Sequence, residues 1–285
     1  MSHLDLKIVI PTYQRFDSLL KRLSEIKVCF GSVSMVTVFD NGGAEEIKNH
    51  YPEVELISHE SNIGMSKNLF ACLSYAKTGW IWVLSDDDAI KGDAKKKISR
   101  LLNPQYAWIS FGSCMNSSTN YEKYVLELQG KSFISNEIFL SNTIYNMSLT
   151  SHYLDHGYSD SFIPQFFLKF EALKNNNIGL LSTDRIVYQN LNCIRWSPAV
   201  VFSVVLSEWR KRYGRSELFV LKGFVNYKRS VLATLQDIKP SNRKNFKMNM
   251  WLSTGSFLWA PIVHVRILEV LGKLLSSSKY SKNRL

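Results

Sequence analysis

The chain has 285 residues and a mass of 32.8 kDa, long enough to bury a sizeable core without disulfides or structural metals. With 45% hydrophobic and 21% charged residues, 14 Gly and 7 Pro, it falls outside the disordered, collagen-like and low-complexity classes. The net charge of +11 sits in the last third: residues 1–189 carry 18 Lys+Arg against 20 Asp+Glu, residues 190–285 carry 17 against 4.

Strand and helix signals alternate over the first hundred residues. Residues 6–10 form a β-branched run stopped by Pro11. Phe16, Leu19, Leu20, Leu23 and Ile26 recur at helical spacing over 16–27. Residues 33–39 read as a strand closed by Asp40-Asn41-Gly42-Gly43, and 54–57 as another. Residues 65–76 suit a helix with Met65, Leu69, Leu73 and Ala76 on one side. Residues 80–84, WIWVL, are a strand that runs into three aspartates; 93–102 look helical and 106–111 look like a strand. Residues 113–132 read as an irregular excursion, 137–142 and 164–174 as helices, and the chain after 196 as helical. Such alternation predicts βαβ units and a mostly parallel sheet, with ligands bound at the carboxyl ends of the strands.

None of the four cysteines, Cys29, Cys72, Cys114 and Cys193, forms a CxxC pair, so neither a zinc ribbon nor a thioredoxin-type motif is expected. The charged N-terminus lacks the apolar run of a secretory signal. A reducing cytoplasm with free thiols is expected, and no transmembrane helix. There is no GxGxxG, GxxxxGK[ST], GxSxG or HExxH.

Asp86-Asp87-Asp88 is the strongest local feature. Consecutive carboxylates after an apolar strand repel one another unless a cation neutralises them, and oxygen ligands suit Mg²⁺ or Mn²⁺ completed by substrate phosphates. An acidic turn capping the following helix is the other reading. Asp40 could accept from a base N–H or a ribose hydroxyl, or could form an Asx turn with its glycines. Residues 62–68, NIGMSKN, open a helix whose N-terminus, with Gly64 and Lys67, suits phosphate; an ordinary N-cap fits equally.

The ordered series IVIPTYQR (8–15), VFDNGG (38–43), ESNIGMSKN (60–68) and WIWVLSDDD (80–88) resembles the N-terminal half of glycosyltransferase family 2, inverting enzymes with a GT-A fold. The resemblance covers about the first hundred residues. It implies that Pro11, Thr12, Tyr13 and Arg15 line a nucleotide pocket and that Asp40, with Asn41 beside it, binds the base. It places Gly64 and Lys67 near ribose and diphosphate, and Asp86 on the ribose or donor sugar. It makes Asp87 the variable middle of a DxD motif and Asp88 the metal-holding last residue. The family's base lies in a Glu-Asp pair, which this sequence lacks; Asp160, just ahead of the apolar segment 162–173, is preferred, with Asp155 second. His156 reads as structural.

Residues 196–250 interleave aromatics with basic residues. From Pro261 onward Arg266, Glu269, Lys273 and Ser276 group on one helix side, with Val263, Ile267, Leu271 and Leu274 among those opposite, an amphipathic pattern that suits an anionic membrane surface. A helical subdomain docked on the sheet and homo-oligomerisation through the apolar side are the other readings. No nucleic-acid motif accompanies the charge, so nucleic acid is not expected.

The expectation is an α/β GT-A-type domain over 1–190 with a mostly parallel sheet, and a helical, basic extension over 191–285. Its activity would be metal-dependent, inverting transfer from a nucleotide-diphosphate sugar, a UDP-sugar first, using Mn²⁺ or Mg²⁺. The acceptor would be a saccharide, lipid-linked, in surface-polysaccharide assembly (lipopolysaccharide or capsule). The site would be cytoplasmic and peripheral on the inner face of the membrane. A sugar-phosphate nucleotidylyltransferase and a non-catalytic nucleotide-sugar-binding scaffold are the rivals.

Overall fold

The computed structural model describes residues 5–128, 137, 139–155, 158, 161, 163–188, 208 and 212. The chain divides into two compact units, and every element below lies in the first. In chain order these are β1 (Leu6–Thr12), α1 (Phe16–Phe30), β2 (Val36–Asp40), α2 (Ile47–His50), β3 (Glu55–Ser58), α3 (Met65–Ser74), β4 (Trp80–Val83), β5 (Ala89–Ile90) and α4 (Ala94–Leu101). Then follow β6 (Tyr106–Phe111), β7 (Ser117–Thr119), α5 (Tyr121–Leu128), a 3₁₀ turn (Leu140–Asn142), β8 (Thr143–Asn146), α6 (Met147–Thr150), a second 3₁₀ turn (Ser151–Asp155), α7 (Pro164–Lys174), β9 (Ile178–Ser182) and β10 (Val187–Tyr188).

Eight strands form one sheet in the order β3-β2-β1-β4-β8-β6-β9-β7, and β5 pairs with β10 in a two-stranded ribbon. β1–β2, β2–β3, β1–β4 and β6–β9 are parallel; β4–β8, β6–β8 and β7–β9 are antiparallel. Because β8 runs against both β4 and β6, those two run the same way. The carboxyl ends of β1 to β4, β6 and β9 therefore share one edge with the amino end of β8.

The core follows from strand alternation and helix stripes. Ile8 and Ile10, Val36 and Val38, and Trp80 and Trp82 pack with Leu19, Leu23 and Ile26 of α1. α1 runs three residues further than its apolar stripe predicts and ends at Gly31, whose φ of 85° is the left-handed cap that glycine favours. Gly179 of β9 lies so close to Trp108 that a Cβ there would come within 2.2 Å of the indole.

Several sequence expectations are corrected. Within 113–132, read as irregular, lie β7 and α5; β7 has no β-branched apolar run and exists because β9 pairs with it. Of the helix expected over 137–142, Glu137 is helical, residue 138 lies outside the described residues, and Leu140–Asn142 form a 3₁₀ turn leading into β8, whose four residues are too few to show a period. The second strand begins at Val36 rather than Val33, since Val33 turns to accept from the Val36 N–H. Among the described residues no helix is long and apolar enough to cross a membrane. The 18-residue run 248–265, free of Asp, Glu, Lys and Arg, bears on the same expectation and lies outside the described residues.

Candidate active site

The site starts from a gap between two neighbouring strands. β4 pairs with β1 only as far as Val83 opposite Val9, so Pro11, which has no N–H to donate, sits where β1 no longer needs a partner on that side. The strands part there, and Thr12, the last residue of β1, meets Asp86 from the loop after β4. The Thr12 hydroxyl donates to Asp86 Oδ2 at 2.7 Å. Arg15, at the N-cap position of α1, reaches across: its Nη1 donates to Asp86 Oδ1 at 2.9 Å and to Asp87 Oδ2 at 2.8 Å.

Burial pushes the Asp86 carboxyl above its usual range, against the pull of Thr12 and Arg15. Burial works against the Arg15 charge too, but Asp86 and Asp87 outweigh it and raise the guanidinium above its ordinary value. The Ser85 hydroxyl donates to Asp87 Oδ1 at 2.5 Å. Asp88 is buried, and its Oδ2 accepts from the Ser141 hydroxyl at 2.6 Å. The three carboxylates thus point to three partner sets within a single turn, which relieves the repulsion the sequence implies.

Beneath this turn lies a second cation. Arg22, 3% exposed, occupies the inner face of α1 and pairs with Glu25, whose Oε2 accepts from the Ile90 N–H just past the aspartates. Burial pulls the Arg22 guanidinium below its ordinary value, countered by Glu25 and by the field of Asp88, Asp87 and Asp86. On the far side β5 pairs with β10, and the Lys91 N–H donates to the Ile186 carbonyl.

The other flank is built by β2 and α3. Asp40 is 1% exposed; its Oδ1 accepts from the Gly42 N–H at 2.7 Å and its Oδ2 from the Ala44 N–H at 3.1 Å. This is the Asx turn, with Gly42 and Gly43 at φ of 123° and 97°. The turn brings the Gly42 carbonyl to the Gln14 N–H and sets the half-exposed Tyr13 ring beside Gly42. Asn41 is buried and spans to the start of α3, accepting from the Ile63 N–H and donating to the Gly64 carbonyl. Gly64, at φ 83°, precedes α3, and Lys67 is exposed in its first turn. Asn68 is held between the Phe39 carbonyl and His59.

Pro11, Thr12, Tyr13, Arg15, Asp40, Asn41, Gly64, Lys67 and Asp86 to Asp88 are therefore all placed on the loops and helix starts of one sheet edge. Asp155 is exposed at the end of its 3₁₀ turn, at the opposite edge: that turn begins with Ser151 donating to Lys77 O, and its Tyr153 accepts from Asn177. Asp160 and His156 lie outside the described residues. Sequence reasoning missed Arg22, Glu25 and Ser141. Arg22 had a signal, since it falls among Leu19, Leu23 and Ile26 on the apolar stripe; Ser141 had none.

The chain matches the family model "Glycosyl transferase family 2" over residues 7–175, more than half its length. It belongs to that family, and the protein is a glycosyltransferase. No curated relative matches it. Among solved structures, this glycosyltransferase is similar to S. aureus TarS 1–349 in complex with UDP-GlcNAc, at 11% identity and a TM-score of 0.58, over 87% of this chain and 81% of that one. It is also similar to the mannosyltransferase PcManGT from Pyrobaculum calidifontis in complex with GDP-Man and Mn²⁺, at 12% identity and a TM-score of 0.53, over 94% and 80%. At such identities the likeness shows the fold, and the fold is the GT-A one expected.

Among the described residues of the glycosyltransferase no group of three or more His, Cys, Asp or Glu side chains gathers as a metal centre. The donor set is all oxygen, and Arg15 already balances Asp86 and Asp87. These residues fit a hard cation held through one carboxylate, Asp88, and completed by a ligand's own phosphates. They do not fit a metal bound by protein alone.

Proposed function

We propose that this glycosyltransferase moves one sugar, with inversion, from a nucleotide-diphosphate sugar to a saccharide acceptor. The observation that carries the reading is the turn Ser85 to Asp88, fixed at the carboxyl edge beside the starts of α1 and α3. Thr12 and Arg15 hold Asp86 where it meets the ribose or donor sugar, while Tyr13 and the Asp40–Asn41 turn form the wall for the base. The exposed Lys67 at the start of α3 meets the diphosphate. Asp88 would hold Mn²⁺ or Mg²⁺, a cation that would supply charge stabilisation for the leaving diphosphate. TarS with UDP-GlcNAc and PcManGT with GDP-Man and Mn²⁺ support a nucleotide-sugar donor and a divalent ion, a UDP-sugar being the first to test.

Inversion requires a carboxylate to take the acceptor proton. Asp160 is the base in this reading. α7 ends just before β9 starts at the amino edge, so its beginning, four residues after Asp160, is directed towards the carboxyl edge. Asp155 stands on a turn anchored at the amino edge and is second. The domain is assigned to 1–190 and the basic extension to 191–285. The extension places the enzyme on the inner face of an anionic membrane, where a lipid-linked acceptor for surface-polysaccharide assembly resides.

The test is a thermal-shift panel of UDP, GDP, CDP and dTDP with and without Mn²⁺. A ligand of the native state at a hundredfold excess over its dissociation constant adds about 2.7 kcal/mol, or about 5–10 °C. One nucleotide should give a Mn²⁺-dependent shift of that size, reduced far more by Asp88→Asn than by Asp87→Asn. No shift with any nucleotide overturns the donor assignment, and equal effects of the two variants overturn the role of Asp88.

A further inference from the structure

We infer that Ser141 is a positioning residue for Asp88, an inference that rests on the metal-and-diphosphate role just proposed for that carboxylate. Ser141 is 1% exposed and lies in the 3₁₀ turn that precedes β8. Its position follows from topology. β8 is the strand that runs backwards between β4 and β6, so its amino end, and only its amino end, arrives at the edge where β4 releases the aspartates. The residues before β8 thereby come against a loop more than fifty positions earlier in the chain.

Three hydrogen bonds fix the contact. The Ser141 carbonyl accepts from Trp82 Nε1 at 2.8 Å, which locks the backbone to β4. Its hydroxyl accepts from the Ser85 N–H at 2.9 Å and lies 2.6 Å from Asp88 Oδ2. An amide N–H can only donate, so the hydroxyl proton is left for the carboxylate. A neutral donor at that distance from an ionised acceptor is a charge-assisted bond. The hydroxyl therefore sets the first residue of the turn and the carboxylate of its last residue together. The turn's own bond, from the Asp88 N–H to the Ser85 carbonyl, is long at 3.4 Å and cannot do this alone.

A carboxylate that must present an oxygen to a cation and a diphosphate loses affinity when its orientation is released. Deleting the partner of a ligating group ordinarily costs about 10–100-fold in metal affinity. A merely structural serine would lower stability and leave that affinity alone.

The experiment compares wild type, Ser141→Ala, Ser141→Thr and Trp82→Phe. Trp82→Phe removes the bond to the Ser141 carbonyl and loosens the same packing without touching the hydroxyl. Each is titrated with Mn²⁺, followed by its electron paramagnetic resonance, in the presence of whichever of UDP, GDP, CDP or dTDP stabilises the wild type. Metal-free nucleotide binding and melting temperature are measured in parallel. Ser141→Ala should weaken Mn²⁺ about tenfold or more with metal-free nucleotide binding unchanged within twofold. Ser141→Thr, which keeps the hydroxyl, should recover most of the loss, and Trp82→Phe, which frees the Ser141 backbone but keeps the hydroxyl, should melt lower and lose less Mn²⁺ affinity than Ser141→Ala. If Ser141→Ala does not fold, Ser141→Cys is read in the same way.

Wild-type Mn²⁺ affinity in the folded Ala or Cys variant overturns the inference, as does an equal loss in Trp82→Phe. A wild type that binds nucleotide without any response to Mn²⁺ overturns the metal role of Asp88 itself, and with it anything left for Ser141 to position. The two failures are told apart by the wild-type titration.

Discussion

Arg15 donates from one nitrogen to two carboxylates, and Asp86 behind it is nearly sealed from solvent. Arg15→Met would leave Asp86 with the Thr12 hydroxyl as its side-chain donor, on a carboxyl whose burial already disfavours charge. The variant should lose about 1–3 kcal/mol, read as a lower urea midpoint at pH 7. Arg15→Lys should recover part of this, because an ammonium satisfies one acceptor well and two poorly. At this scale the sequence displayed the aspartates, the following-strand position of Arg15 and both readings of Asp40. It could not rank those readings, because the choice depends on where the Gly42 and Ala44 N–H groups point. Ser141 was invisible since its partners are set by strand order, not by neighbours in the chain.

The strand–helix alternation of the first hundred residues was legible at the scale of elements, because each strand is an apolar run and each helix a stripe. β5, β8 and β10 were not, being two to four residues long and defined by their partners. α7 hid a different feature. It is buried almost all round, and its Lys169 is fully enclosed, with Nζ 2.9 Å from the equally enclosed Glu137 Oε2. Tyr124 and Ser110 also donate to Glu137 at 2.8 Å each, and Lys169 lies over the Trp108 ring. Burial pulls the Lys169 ammonium below its ordinary value, with Glu137 opposing. Lys169→Met should therefore cost about 3–5 kcal/mol by taking the cation away from beside the buried Glu137 side chain. The double variant Lys169→Met/Glu137→Gln should regain most of it, and a double-mutant cycle in urea measures the coupling.

Over the whole molecule the charge divides as the chain does: near neutral where the sheet is, strongly basic after residue 190. That division was plain from counting, and the family resemblance located the catalytic half. What the basic part does was not legible, because a docked subdomain and a membrane anchor share one amphipathic pattern. Deleting residues 262–285 should lower co-sedimentation with anionic vesicles, by about 1 kcal/mol for each of the five Lys and Arg removed, and leave soluble nucleotide binding unchanged. Unchanged sedimentation would assign the segment to packing.

The insertion of β8 between β4 and β6 also orders events in time. Asp86 to Asp88 are made early, yet the residues that hold their loop come late: Ser141 on one side, then Ile186 and Val187 on the other. A chain emerging from the ribosome can pair β1 to β4 while the aspartate turn still lacks both walls. The charged turn is thus finished last, after some hundred further residues have been added. A translation pause anywhere between would leave Arg15 holding Asp86 and Asp87 but Asp88 still waiting for its Ser141 hydroxyl, on an otherwise assembled half-sheet.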